Sequence, residues 1–173
     1  MKSAPIKVES LSFPAMRVAI LTISDSASKG DRQDTSGPAV VAFCRGLGWE
    51  ITETLCLPDN SAAIREQLSA IADSSRADII FTTGGTGIGP RDNTPEATVA
   101  IAERIIPGVS EEMRRKGMEK TPTAVLSRAV TAVRANTIIV NLPGSPKGAV
   151  ESLESIAHLL PHAVHVLHGA RHD

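Results

Sequence analysis

The sequence predicts a single-domain α/β fold of three layers, with a mostly parallel central sheet between helices. Three observations predict it. Short aliphatic, β-branched runs alternate along the chain with longer segments of helical period, the pattern of strands that return through crossover helices. The clearest runs are apolar at successive positions, as strands covered on both faces are. Residues that stop a strand close them, among them Pro58, Gly84 and Pro143.

Taken in order, the first strand is expected over 17–23 and a Ser/Asp/Gly-rich loop over 24–36. Ser36-Gly37-Pro38 begins a helix, since proline fits a first turn that needs no amide donor, and Gly48 ends it. Residues 49–57 form the second strand, stopped by Pro58. Asp59-Asn60-Ser61 offers caps to a helix over 62–74 whose Ile64, Leu68 and Ile71 share one face. Residues 77–83 form the third and most hydrophobic strand. Thr94-Pro95-Glu96 caps and starts a helix through Ile105, which Pro107-Gly108 breaks. A helix over 109–120, strands over 130–134 and 137–142, and a helix over 146–160 follow. The expected organisation is an N-terminal extension over 1–15, one domain over 16–169 and a short tail over 170–173. The extension has two prolines and only scattered apolar residues, which does not describe a signal peptide.

Composition excludes several classes. A net charge of −1 leaves no basic surface for nucleic acid. Three Phe, one Trp and no Tyr supply no stacking platform for single strands and make the core aliphatic. No apolar run approaches a membrane span. Cys44 and Cys56 belong to no CxxC pair or ligand cluster. They are read as buried free thiols, which suit a reducing compartment, and the cytoplasm is the expected location.

Chemistry is expected beyond the carboxyl ends of the strands. Polar, Gly-rich sequence follows three of them: Ser24-Asp25-Ser26, Thr83-Gly84-Gly85-Thr86-Gly87 and Asn141-Leu142-Pro143-Gly144-Ser145. Gly84, Gly85 and Gly87 let backbone approach an anion and aim amides at it, while Thr83 and Thr86 add hydroxyl donors. The turn is neither GxGxxG nor a Walker loop. A tight structural turn is the alternative. Asp92, beside Arg91 and close after the loop, narrows the choice. A carboxylate next to a phosphate site is repulsive unless a cation bridges them, which suggests Mg²⁺. Asp59, at another strand end, would reach the same cleft; the alternative is that both aspartates cap helices.

Residues 79–98 (Ile-Ile-Phe-Thr-Thr-Gly-Gly-Thr-Gly-Ile-Gly-Pro-Arg-Asp-Asn-Thr-Pro-Glu-Ala-Thr) resemble the signature of the molybdopterin adenylyltransferase family. The Mog/MoaB proteins and the G domains of plant Cnx and gephyrin proteins are of this type. The likeness runs from Arg17 to Gly169 and includes Ile23-Ser-Asp-Ser26, Asp34-Thr-Ser-Gly-Pro38, Leu57-Pro-Asp59, Pro122-Thr-Ala-Val-Leu-Ser-Arg128 and Asn141-Leu-Pro-Gly-Ser-Pro-Lys147. It implies that ATP and Mg²⁺ activate molybdopterin as its adenylate before molybdenum insertion. Asp92 matches the acidic residue of the family's Arg-Asp-x-Thr-Pro motif and Asp59 that of its Pro-Asp motif. On this reading Asp59 and Asp92 hold Mg²⁺ on the triphosphate. The loop at 83–87 cradles anions, Ser145 and Lys147 contact a phosphate or the pterin, and Ser24, Asp25, Asp34, Ser36, Gly37 and Gly144 line the remainder. The resemblance also implies a homotrimer, with hexamers known in the MoaB type, and a molybdenum-insertion protein as a pathway partner. Ser26 stands where some members carry Arg, and Ser145 where others carry Asn or Gln. A pterin carrier without turnover and the molybdenum-insertion domain itself are the competing readings; retention of both aspartates and the Arg91-Asp92-Asn93-Thr94-Pro95 run argue against them.

Two clusters stand apart. His158, His162, His165, His168 and His172 would share one helical face, but Pro161 and Gly169 interrupt it, and a surface helix is the expectation. Arg114-Arg115-Lys116 after Glu111-Glu112 is expected to form intrahelical pairs.

Overall fold

A computed structural model describes residues 15–170. Apart from Ala15 and Ala170, the expected terminal extension and tail lie outside the described residues, as does His172.

Six strands form one sheet in the order β2-β1-β3-β6-β5-β4. They are β1 (Arg17–Ile23), β2 (Glu50–Leu57), β3 (Ile79–Thr83), β4 (Arg104–Ile105), β5 (Thr131–Arg134) and β6 (Thr137–Leu142). The helices are α1 (Asp25–Ser28), α2 (Ser36–Gly46), α3 (Ser61–Asp73), α4 (Thr94–Ile101), α5 (Pro107–Met118), α6 (Pro146–Ile156) and α7 (Leu160–Leu167). A 3-10 turn covers Pro122–Leu126. β2, β1, β3 and β6 run parallel; β5 pairs antiparallel with both β6 and β4.

Successive residues of the central strands serve opposite faces, which is why these strands are apolar throughout. Val18, Ile20, Ile79 and Phe81 pack on one side against Val40 and Cys44 of α2, Met113 of α5 and Leu153 and Ile156 of α6. Trp49 stacks on Phe81 with ring centroids 6.4 Å apart. Ala19, Leu21, Ile23 and Ile80 pack on the other side against Ile64, Leu68 and Ile71 of α3 and Ala97 of α4. Each fully buried aliphatic side chain contributes about 1.5–3 kcal/mol, so the two layers hold the sheet without metal or disulfide.

Several expectations need correction. The helix begun at Thr94 ends at Ile101, because Ala102 turns extended and Glu103 donates its amide to Val133 O at 2.9 Å; Arg104–Ile105 then pairs with β5 as an edge strand. Pro107 and Gly108 open α5 rather than merely closing the element before it. Thr94 is no cap: its hydroxyl donates back to Gly84 O at 3.0 Å. The helix begun at Pro146 ends at Ile156, and a separate helix starts at Leu160 with Pro161 in its first turn. α1 occupies the start of the expected polar loop. Cys56 is exposed on edge strand β2, whereas Cys44 is buried and burial pushes its thiol up to about 12. Of the basic run, Arg115 and Lys116 pair with Glu112 and Glu119 within the helix, but Arg114 instead donates to the Ser127 and Ala129 carbonyls.

Candidate active site

The chain leaves β1 to place β2 on one side and β3 on the other, so the order of strands reverses between β1 and β3. A crevice opens at the carboxyl ends beside such a reversal. Here it is a cavity of about 250 Å³ lined by Ser24, Asp34, Ser36, Asp59, Thr83, Gly84, Gly85, Asp92 and Gly144.

Backbone conformation sets its floor. Gly84 and Gly85 have φ of +99° and +67°. A Cβ on Gly84 would run into the Ile23 carbonyl, and one on Gly144 would sit 3.2 Å from the Gly84 Cα. Three loops therefore meet closer than side chains allow. The Gly84 amide donates to Leu142 O at 3.1 Å, so anion cradling falls to the residues after it. Thr83 and Ser36 share a buried hydroxyl–hydroxyl bond of 2.8 Å that ties the start of α2 to the end of β3. Asp34 accepts from the Thr22 hydroxyl at 2.7 Å and, in the first turn of α2, from the Gly37 amide at 3.1 Å.

Asp59 is held by backbone rather than by a cation of its own. Asp25 N donates to Asp59 Oδ2 at 3.0 Å, and Asp59 N returns a bond to Asp25 Oδ1 at 3.0 Å. Arg91 forms its ion pair with Asp25. Asn60, not Asp59, caps α3, accepting from the Ala63 amide at 2.9 Å. Burial above all raises the Asp59 pKa, and the charges of Asp25 and Asp92 add to it; the Asp25 amide and Arg91 pull the other way. Asp92 Oδ2 accepts from the Gly89 amide at 2.8 Å. Next to it, Asn93 donates to Asp59 O at 3.3 Å, while its own side-chain oxygen is buried with no hydrogen-bond partner.

Among the described residues no group of three or more His, Cys, Asp or Glu is placed to hold a metal by itself. Asp59 and Asp92 with an orphaned amide oxygen beside them nevertheless fit Mg²⁺, which takes one or two carboxylates and completes its shell with water and phosphate. The residues present fit that ion only if a phosphate ligand comes with it.

A second cavity, of about 730 Å³, lies beyond Gly144 and is lined by Thr86, Gly87, Ile88, Leu126, Ser145, Lys116 and Lys120 among others. The expected 83–87 cradle is thus divided: Thr83 to Gly85 face the small polar cavity, Thr86 and Gly87 the larger one.

Residues 19–162 match the family described as "Probable molybdopterin binding domain". The chain belongs to that family. It is 40% identical over 144 residues to the molybdopterin adenylyltransferase of Escherichia coli K12, covering 82% of this chain and 73% of that protein. To the molybdopterin adenylyltransferase of Helicobacter pylori it is 35% identical over 163 residues, covering 89% of each. The crystal structure of the molybdopterin biosynthesis enzyme MoaB from Thermus thermophilus superposes with a TM-score of 0.84 at 47% identity, covering 90% of this chain and 98% of that one. The three-layer fold is the fold of that family.

Of the residues singled out in the sequence, Ser24, Ser36, Asp59, Thr83, Gly84, Gly85, Asp92 and Gly144 come together in the polar cavity. Asp25 buttresses Asp59 from behind. Gly37 has its amide taken by Asp34, and a Cβ there would meet Asp34 Oδ2 and Thr22 Oγ1 at 2.5 Å, so it serves packing. Ser145 caps α6 through the Gly148 amide at 3.1 Å while also lining the larger cavity. Lys147 is not brought in: its side chain is 86% exposed and faces Glu151 at 4.0 Å. Asp34, expected with Ser36 and Gly37 to line the site, does line the polar cavity; Arg128, which grips the Gly-rich loop, is the residue to which the sequence assigns no role.

Proposed function

We propose that this chain is a molybdopterin adenylyltransferase, transferring AMP from ATP to the terminal phosphate of molybdopterin with release of pyrophosphate. The carrying observation is the convergence of Asp59 and Asp92 on the Gly84–Gly85 turn at the point where strand order reverses. Relatives that bear this activity in their names, at 35–40% identity, support the same reading.

A phosphate oxygen of molybdopterin attacks the α-phosphorus of ATP while the bond to pyrophosphate breaks. The phosphate already is the nucleophile, so the protein needs no covalent intermediate. Its task is to hold two polyanions in line. Thr83 and the amides after Gly84 orient the phosphates. Mg²⁺, held by Asp59 and Asp92, would supply the positive charge that lets the triphosphate approach these carboxylates. Asp25 keeps Asp59 aimed by their reciprocal amide bonds. The 730 Å³ cavity across Gly144 has the apolar walls and volume for a heterocycle.

We place the reaction in the cytoplasm, as the two free cysteines suit; among the described residues no helix is long and apolar enough to cross a membrane. A homotrimer supplying a molybdenum-insertion protein is the expected assembly, and the exposed Ile88 and Leu126 support burial of surface between subunits. Light scattering that gives a stable monomer at micromolar concentration overturns the assembly. Incubation with ATP, Mg²⁺ and molybdopterin, followed by assay for the adenylate and pyrophosphate, tests the reaction. Pterin binding without product replaces the enzyme by a carrier.

A further inference from the structure

The loop that carries Asp92 runs from Gly84 to Asn93, between β3 and α4. It closes on itself through Asp92 N to Gly89 O at 3.1 Å and Gly89 N to Asp92 Oδ2 at 2.8 Å. These bonds shape the tip but do not fasten it to the body. Arg91 to Asp25 and Asn93 to Asp59 O fasten it at single points; one residue outside the loop holds both of its arms. The Arg128 amide donates to Thr86 O at 2.9 Å, its Nε to Gly87 O at 2.7 Å and its Nη2 to Asp92 O at 2.7 Å. Nη1 pairs with Glu96 on α4. The guanidinium thus spans the two arms of the loop and ties both to the helix that follows. Arg128 is itself braced, since Arg114 donates to the carbonyls on either side of it, Ser127 O at 3.3 Å and Ala129 O at 3.1 Å.

We propose that Arg128 is the positioning residue for Asp92: its fork fixes the backbone that delivers this carboxylate to the phosphate cavity. The inference rests on the reading of Asp92 as a ligand of the metal–phosphate complex. Only a rigid planar fork reaches three diverging acceptors at once; an ammonium is a point donor on a flexible stem. Bonds from a charged donor are also the stronger kind, so one side chain outweighs the loop's few backbone bonds.

Arg128→Gln and Arg128→Lys, made in the full chain, test this. The Mg²⁺ concentration giving half-maximal adenylate formation is expected to rise about tenfold or more, as when the support of a metal ligand is removed. Calorimetric affinity for molybdopterin alone should fall by a clearly smaller factor than the Mg²⁺ requirement rises, since Thr86 and Gly87 also line the larger cavity, and Lys should not rescue. Amide hydrogen exchange should quicken at residues 86–92 and stay unchanged in the strands. Equal losses in Mg²⁺ dependence and pterin affinity, or an unchanged Mg²⁺ requirement, overturn the proposal. So does exchange at 86–92 that matches the wild type. Glu96→Gln leaves the carbonyl contacts in place; it should shift the Mg²⁺ requirement the same way by a smaller factor, and serves should both Arg128 variants fail to fold. A wild-type protein that makes no adenylate overturns the functional reading instead, while the exchange experiment still decides the clamp.

Discussion

The two ends of the sheet treat the same kind of side chain in opposite ways. At the amino ends of β1 and β3, Asp78 receives the Arg17 amide and guanidinium at 2.8 Å each, and Arg17 gives a further donor to Ser75 O at 2.8 Å. Burial is the largest single influence on Asp78 and pushes its pKa up, but the bonds from Arg17 together prevail and hold it below the usual carboxylate range. At the carboxyl ends, burial raises Asp59, neighbouring carboxylates add to it, and the nearest guanidinium, Arg91, is paired with Asp25. One end is electrostatically complete within the chain. At the other, Asp59 has no guanidinium bonded to it among the described residues, the electrostatic setting that the proposed Mg²⁺ role requires. Electrostatic incompleteness, more than the presence of acids, marks the functional end.

If that contrast is right, Asp92→Asn should leave a folded protein whose adenylation is lower by about a hundredfold or more, since the charge is needed only where phosphates react. Unfolding midpoints should barely move, because the bond that the Asp92 carboxylate accepts, from the Gly89 amide, is an exposed one. A folded mutant with near-normal turnover removes Asp92 from the mechanism. Asp59→Asn, assayed alongside, should be the milder change if the Asp25 amide bonds continue to hold it.

Backbone offers a second way to sharpen the comparison. Gly85 and Gly48 both have positive φ, +67° and +79°. Gly48 ends α2 in open space, whereas a Cβ on Gly85 would strike the Thr94 hydroxyl and approach Asp59 Oδ1 at 3.4 Å. Gly48→Ala should cost about 1 kcal/mol of stability, the strain of the conformation alone, and leave adenylation intact. Gly85→Ala carries the same strain plus the displacement of Thr94, and should also weaken ATP or molybdopterin binding by on the order of 2 kcal/mol. Denaturant unfolding and calorimetric titration of both variants separate the terms. Should Gly85→Ala lose stability yet bind both ligands normally, the turn is structural only.

These positions also show what the sequence could disclose. β1, β3 and β6 were legible because a strand covered on both faces must be apolar at every position. The reversal at β5 was not, because the two-residue connection is Ala135-Asn136, with Ala135 at φ +50° where glycine is the usual signal. The two-residue strand β4 is defined by its partner rather than by its own residues. In the site, Asp59, Asp92 and the glycines could be read, since carboxylates beside tight turns are unusual anywhere else. Arg128 could not be assigned, because its partners on the loop are carbonyls, which every residue possesses and no sequence distinguishes. The division of 83–87 between two cavities depends on where Gly144 arrives from β6, a tertiary fact.

The smallest expected effect lies at the complete end. Asp78 has a depressed folded-state pKa, so its ionised form contributes stability that is present above the unfolded value and is lost as pH falls through the folded one. Arg17 remains charged throughout, and His168, 3.9 Å from Asp78 Oδ1, adds a minor attraction once protonated. Asp78→Asn should therefore cost about 1–2 kcal/mol near neutral pH, modest because the Arg17 side chain is 42% exposed and water screens the pair. For a chain of this length that is a midpoint lower by roughly 2–8 °C. The difference between wild type and variant should persist down to about pH 4, the ordinary aspartate value, and shrink below it as Asp78 takes up its proton. Adenylation at neutral pH should be unchanged, since the pair sits at the amino ends of the strands and the cavity at their carboxyl ends. A midpoint difference that is the same at pH 3 and pH 7 would mean that Asp78 acts through neutral hydrogen bonding alone. The two ends would then differ in packing and not in charge, and the raised pKa of Asp59 would lose its meaning as the mark of a site.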